Sequence, residues 1–157
     1  MANITPLRLA LHEILEKVNA YKLRGKKIDF LKSYNNDFCL TSILQLNFNP
    51  HVKLSLPEGA PPFKRDDSPV GYTQGRLKPQ ILKLANLLPH KNIIQIKKEK
   101  IFCEILESIH GKDADVIVAA KDKKLETIYP GITIDIVREV FPRLELDTVP
   151  WLINPKK

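Results

Sequence analysis

Residues 98–120 read KEKIFCEILESIHGKDADVIVAA and contain two helical segments that meet at Gly111. Because apolar residues recur there every three to four positions, we predict a helix over about residues 91–110, with Gly111 at its C-terminal stop. Asp113 is a suitable N-cap, so a short helix is expected to follow it. The residues predicted to face inward are Ile94, Ile101, Phe102, Ile105, Leu106 and Ile109 in the first segment, and Val116, Ile117, Ala119 and Ala120 in the second.

The N-terminal part of the chain contains three further helical patterns. Thr5 and Pro6 are suited to a helix start, and apolar residues follow at helical spacing as far as Val18. A second helix is predicted over residues 25–34, with Ile28 and Leu31 facing inward. A third is predicted over about residues 38–46, after a break whose polar residues can cap it.

Helical patterns return after a proline-rich region. One helix is expected from Lys78 to Pro89, and the last is expected to run from its predicted cap, Thr133, to Phe141 and Pro142. Between residues 49 and 75 the prolines and glycines exclude a regular helix and a central strand. With no paired strand pattern in the sequence, we predict an all-α protein, an orthogonal array of about six or seven helices.

We expect this array to form one domain over residues 1–157. Two small lobes, at about residues 5–48 and 76–142, are joined in this prediction by an irregular strap at about residues 49–75. Phe63 and Tyr72 are expected to anchor the strap. The chain ends in an apolar tail, residues 143–157, whose Trp151 is either packed on the body or exposed for a partner.

Charge and composition narrow the classes of partner. The chain has 25 Lys and Arg against 18 Asp and Glu, and its net charge of +7 favours polyanions such as nucleic acid but also serves solubility alone. No apolar run reaches the roughly 20 residues of a membrane span, and the N-terminus is unlike a secretory signal. We therefore expect a cytoplasmic protein without a membrane partner. Two cysteines and four scattered histidines predict neither a disulfide framework nor a metal site.

Residues 131–142, GITIDIVREVFP, complete a specific order of features. A helix of bulky residues leads through a basic exit at residues 121–124 to a glycine and then to a capped helix that ends in Phe-Pro. This order resembles the end of the N-terminal α-helical DNA-binding domain of ATP-dependent DNA ligases, especially those of T-even phages. The segments LHEIL (residues 11–15) and KKIDFL (residues 26–31) are similar to the opening of that domain, so the resemblance covers roughly residues 7–142.

The whole chain also resembles a family of small proteins, with no assigned activity, that T-even-like phages of cyanobacteria encode. In that family the segments LPEG (residues 56–59) and AAKDKKL (residues 119–125) recur. The two resemblances imply a phage accessory protein that binds duplex DNA, intact or nicked, in the cytoplasm of an infected bacterial host or in the virion.

The sequence lacks the Lys-x-Asp-Gly motif of the ligase nucleotidyltransferase core, a glycine-rich phosphate loop and a nucleophile elbow. We therefore expect a non-enzymatic protein without a cofactor. The rival hypothesis is an adaptor that binds a protein of the phage or the host, such as a sliding clamp, RNA polymerase or a virion component. The proline-rich strap and the apolar tail are the segments best suited to that role.

The ligase resemblance and the charge pattern together indicate which residues would contact phosphate. Gly131 and Thr133 begin the last helix, where N–H groups and the helix dipole attract anions, and Gly25 could let a DNA backbone come close. For each basic cluster the alternative is a solvated helix end. Contacts of this kind read no base edges, so the binding would be weakly sequence-specific. The candidate set is Lys22, Arg24, Lys26, Lys27, Lys97, Lys98, Lys121, Lys123, Lys124, Gly131 and Thr133.

Overall fold

The computed structural model describes residues 10–34, 37–50, 52–67, 77–89 and 91–142. Within these ranges the regular structure is helical, and one isolated bridge joins Asp66 to His110. The prediction of an all-α protein is therefore confirmed. The helices are α1 (Leu11–Ala20), α2 (Arg24–Lys32), α3 (Phe38–Phe48), α4 (Leu77–Lys83), a 3₁₀ turn (Leu84–Leu87), α5 (Gln95–Glu107), α6 (Gly111–Lys121), α7 (Leu125–Ile128) and α8 (Ile134–Val140).

The N-terminal and C-terminal helices pack on each other around one apolar core. α3 and α1 both lie against α6, and α2 lies against α8. Leu40, Ile43 and Leu44 of α3 are fully buried, as are Ile117 and Ala120 of α6. Burial of these side chains is the main favourable term in folding, so both predicted lobes depend on the same core.

The strap of the sequence prediction, as far as residues 52–67 describe it, is held against the helices. Val52 and Leu54 are buried, and Phe63 packs against the core as predicted. The backbone N–H of Ser55 donates to the carbonyl of Leu87 at 2.8 Å, and that of Gly111 donates to the carbonyl of Asp66 at 2.7 Å. Tyr72, the predicted helix start at Thr5 and Pro6, and the apolar tail lie outside the described residues.

Two predictions about α5 were wrong. The helix begins at Gln95 rather than near residue 91, and Ile94 precedes it as an N-cap residue with extended backbone. Ile94 is therefore 72% exposed instead of facing inward. The inward face of α5 begins one turn before Phe102, at Lys98, which is buried.

Gly111 and Asp113 also have roles other than those predicted. Gly111 is the first residue of α6 rather than the stop of α5, and the α6 N-cap is His110, whose Nδ1 accepts from the N–H of Lys112. A Cβ at Gly111 would lie 2.8 Å from the Asp66 carbonyl, so glycine lets the strap approach the helix. Asp113, expected as the cap, is buried inside the first turn of α6 because its carboxylate binds His12.

No helix among the described residues combines the length and the apolar character needed to cross a membrane.

Candidate functional site

The basic segment after α6, predicted to add phosphate contacts just before the start of the last helix, is largely turned inward. Lys121 is 7% exposed, and its Nζ donates to the carbonyl of Pro57 at 2.9 Å and to the Asp122 carboxylate at 2.5 Å. The same ammonium lies 6.0 Å from the centre of the Phe102 ring. The charge of Lys121 is thus engaged within the protein, and this placement gives no support to its predicted phosphate contact.

Lys123 is held by three main-chain carbonyls. Its Nζ donates to the carbonyl oxygens of Leu46, Asn49 and Val52 at 2.7, 2.8 and 2.7 Å. The last carbonyls of a helix have no partner within the helix, so the ammonium satisfies the end of α3 and the turn after it. Burial, with a smaller contribution from the charge of Lys53, lowers the pKa of Lys123 to about 8. All three ammonium donors point away from any external phosphate.

The strap is fastened to this same segment by further contacts. The N–H of Gly59 donates to the Asp122 carboxylate at 3.0 Å, and Lys124 forms an exposed ion pair with Glu58. The ion pair raises the pKa of Lys124. Residues 121–124 therefore act as a clamp on residues 52–59, which explains four conspicuous charges without an external ligand.

The two lysines predicted to contact phosphate at the start of α5 have different environments. Lys97 is exposed, whereas Lys98 is buried and its Nζ donates to the carbonyl of Leu88 at 3.0 Å. The Lys98 ammonium therefore satisfies the carbonyl that ends the preceding turn, and its position does not support contact with DNA.

The start of α2 and the segment before α8 are brought together, as the hypothesis of converging clusters required. Lys27 Nζ donates to the carbonyl of Gly131 at 2.8 Å, and the N–H of Gly131 donates to the Asn19 side chain at 2.8 Å. The N–H and the carbonyl of Gly131 therefore both have partners within the protein. The predicted contact of its N–H with phosphate is not supported by this placement. A Cβ at Gly131 would lie 2.6 Å from Lys27 Nζ and 2.9 Å from Asn19 Oδ1, so a larger residue there would displace both side chains.

What remains exposed near this joint is a basic segment, which we call the α2 surface: Lys22, Arg24, Gly25 and Lys26. Gly25 has no atom within 4 Å of the position of a Cβ, so the main chain there is open to close approach. Among the described residues no side chain caps α2, and its first turn carries no acidic residue. The nearest counter-charge is Glu139 of α8, which accepts from Arg24 at 2.7 Å with both side chains about half exposed.

Thr133 stands at the N-cap position of α8, as predicted, and is partly exposed. Its side chain makes no capping hydrogen bond to the helix. The hydrogen bond from Lys27 to Gly131, two residues before Thr133, places the start of α8 close to α2.

Sequence reasoning missed a polar tie between α1 and α6. His12 Nδ1 and Asp113 Oδ1 are 2.8 Å apart, the same oxygen accepts the backbone N–H of His12, and the His110 ring stacks on that of His12 at 4.8 Å. His12 and Asp113 are both buried and stand 101 residues apart. No sequence spacing could have signalled the pair. Within the described residues, no three His, Cys, Asp or Glu side chains are grouped so that they could hold a metal ion.

Comparison with known protein families gives one result. Residues 14–127 match a family of unknown function (DUF6433), and this range begins within α1, ends within α7 and includes the strap and the clamp. None of the curated proteins matches the chain.

Proposed function

The chain belongs to the DUF6433 family, and we propose that it binds duplex DNA without catalysis, through contacts of the α2 surface with the sugar-phosphate backbone. One observation carries the proposal. Lys22, Arg24 and Lys26 are all exposed in the short segment around Gly25, where nothing obstructs the main chain.

Electrostatics favours this surface over the other predicted clusters. Lysine and arginine side chains that reach phosphates release condensed counterions, and this release supplies most of the affinity of non-specific DNA binding. The side chains must be able to reach phosphate, and those of Lys98, Lys121 and Lys123 are engaged within the protein. Lys22 and Lys26 are exposed, and Arg24 is held by a half-exposed ion pair with Glu139. The net charge of +7 adds long-range attraction to a polyanion.

The proposed interface is therefore smaller than the one expected from the sequence. It comprises Lys22, Arg24 and Lys26, with Lys27 fixing the joint behind them and Thr133 offering a hydroxyl beside it. Such contacts position a protein on DNA but carry no sequence information, so the binding is weakly specific. In the phage setting that the sequence resemblance implies, the protein acts as an accessory factor in the cytoplasm of the infected host.

The proposal is tested by fluorescence anisotropy with a labelled duplex of about 20 base pairs, intact and nicked, at low and at near-physiological salt. The double variant Lys22→Glu, Lys26→Glu is compared with Lys64→Glu, Lys83→Glu, which makes the same charge change at other exposed lysines. We expect steeply salt-dependent binding by the wild type. The salt slope should fall by about one for each phosphate that the α2 variant no longer neutralises, and the control should stay close to the wild type.

Equally weakened binding in both double variants would mean that only net charge matters and would reject the α2 surface as the site. Absence of binding at low salt would reject the DNA proposal as a whole. A preference for the nicked duplex would mean that the protein also recognises strand breaks.

A second candidate, an adaptor that binds a protein partner, is favoured by a different observation. Ile94 and Ile96, at the start of α5, are 72% and 79% exposed, and Lys97 and Lys100 lie beside them. Exposed apolar side chains with a polar rim are typical of protein interaction surfaces, and the basic rim suits a partner with acidic and apolar residues. A partner bound by the wild type but not by Ile94→Ser, Ile96→Ser would support this candidate.

A further inference from the structure

A depression of about 440 Å³ lies between the strap and the end of α6, away from the residues of the α2 surface. Its wall carries three lysines, Lys53, Lys121 and Lys123, and two carboxylates, Asp122 and Glu58. The volume falls within the range of about 300–1,000 Å³ that is usual for small-molecule sites. We propose that this depression binds a small phosphate ester whose body is partly apolar, such as a mononucleotide.

The depression has more lysines than carboxylates, so part of its positive charge has no acidic partner. Asp122 accepts from Lys121 and from the N–H of Gly59, while Glu58 pairs with Lys124. Among the residues that the structure describes, no carboxylate is left for Lys53 or Lys123, neither of which forms an ion pair there. Two ammonium groups thus share one depression without a counter-charge.

The charge of Lys53 acts on Lys123 as a like charge. Lys53 helps to lower the pKa of Lys123, although burial is the larger cause. A phosphate placed between them would replace this repulsion by two attractions. Pairing with an anion would offset the cost of holding these like charges together.

Each lysine contributes differently to the proposed site. Lys123 has all three donors bound to carbonyls, so it supplies charge without a direct hydrogen bond. Lys53 is exposed and can place its ammonium on a phosphate oxygen. Lys121 uses two donors in its described bonds, to Pro57 and Asp122, and can turn the third to the ligand.

Part of the remaining wall is apolar and offers no partner to a bare inorganic anion. Leu54 and Leu56 also line the depression, and Leu56 is only partly buried. A ligand that covers this apolar surface gains about 25 cal/mol for each square ångström removed from water. A phosphate joined to a planar or apolar group therefore fits both parts of the wall better than phosphate alone.

Isothermal titration calorimetry of the full chain at low salt and pH near 8 tests the inference, with AMP, pyrophosphate and inorganic phosphate as probes. Lys53→Met removes the free ammonium without disturbing the carbonyl cage, and Lys64→Met is the matched exposed control. We expect AMP to bind more tightly than inorganic phosphate. Binding of AMP should weaken about tenfold in Lys53→Met, the effect expected for one charged hydrogen bond, and stay unchanged in the control.

Proton uptake gives a second readout that a non-specific ion atmosphere would not produce. An anion beside Lys123 raises its lowered pKa, so binding near pH 8 takes up protons and the measured enthalpy depends on the ionisation enthalpy of the buffer. Lys53, Lys121, Lys124, Asp122 and Glu58 are the other charges around this group. At about pH 6 Lys123 is already charged, so its proton uptake should disappear; the phosphate of AMP titrates there and should instead release protons on binding.

No heat with any of the three probes would overturn the inference, as would equal binding of AMP by the wild type and Lys53→Met. The outcome is independent of the duplex proposal, because Lys22→Glu, Lys26→Glu changes no residue of the depression. That variant should bind AMP like the wild type even where it no longer binds DNA.

Discussion

Individual lysines in this protein have three distinct uses, although the sequence presents them alike. Lys98 and Lys121 are buried donors to single main-chain carbonyls, and Lys123 caps three carbonyls at once. Lys22 and Lys26 remain exposed. A buried carbonyl without a donor costs more than a typical hydrogen bond contributes, so the hydrogen bonds of the inward lysines stabilise the fold.

At the same scale, Tyr129 provides a prediction about alkaline pH. Burial, followed by the nearby charges of Glu16, Asp113 and Asp115, raises the pKa of Tyr129 from 10.0 to about 12. The folded state therefore holds this proton more tightly than the unfolded state. The resulting stability is fully present below pH 10 and is lost as the pH rises toward 12.

The measurement is urea unfolding of the wild type and of Tyr129→Phe at several pH values. Phenylalanine cannot ionise, so the stability of the wild type should fall relative to the variant as the pH rises from 10 to 12. Parallel stability curves over this interval would show that the Tyr129 hydroxyl ionises as easily in the folded as in the unfolded chain.

The inward lysines also show how far sequence reasoning reaches. Lys98 stands four residues before Phe102, and Lys121 four residues after Ile117, so both share a helix face with a core residue. This periodicity was available as a signal that these side chains point inward. For Lys123 no such signal exists, because it lies beyond the end of α6 with a φ of 59° and finds carbonyls more than 70 residues away.

Among the elements, the contacts between the strap and the clamp were the hardest to predict from the sequence. The prolines and glycines predicted an irregular segment, and Phe63 was correctly expected to anchor it. The partner of the strap could not be foreseen, because its contacts with residues 121–124 are hydrogen bonds between distant polar groups rather than a periodic pattern. The predicted start of α5 was also wrong, because Ile94, expected within the helix, has an extended backbone and precedes it.

Removal of the Lys123 ammonium should loosen the strap locally. Lys123→Met keeps the aliphatic stem but leaves the carbonyls of Leu46, Asn49 and Val52 without their donor. The free energy of unfolding is expected to fall by about 1–3 kcal/mol. Hydrogen exchange should quicken at the Ser55 and Gly59 amides, which bond Leu87 and Asp122.

Lys124→Met is the matched control for this variant, because it removes a neighbouring lysine whose ion pair with Glu58 is exposed. Solvent screens exposed ion pairs and leaves them little net contribution to stability, so the control should change exchange little. Equal effects of the two substitutions would contradict the assignment of Lys123 as the residue that fastens the strap.

For the molecule as a whole, the contacts between the two halves decide how the chain unfolds. The predicted lobes are joined by α3 on α6, α1 on α6 and α2 on α8, with one continuous set of buried apolar residues. The His12–Asp113 tie adds a buried polar link across 101 residues. Cooperative unfolding requires such shared contacts, so the two halves should not melt separately.

Asp113→Asn tests this coupling, because asparagine keeps the shape of the side chain but removes its charge. The carboxylate accepts both from the backbone N–H of His12 and from its ring, and weakening these buried bonds should cost about 1–3 kcal/mol. Urea unfolding followed by circular dichroism should shift to lower midpoint as a single transition. Hydrogen exchange should accelerate together in α1 and α3 and in α6 and α8, since each packs on the other half. A split transition, or faster exchange confined to α1, would instead show that the halves fold independently and that the tie acts only locally.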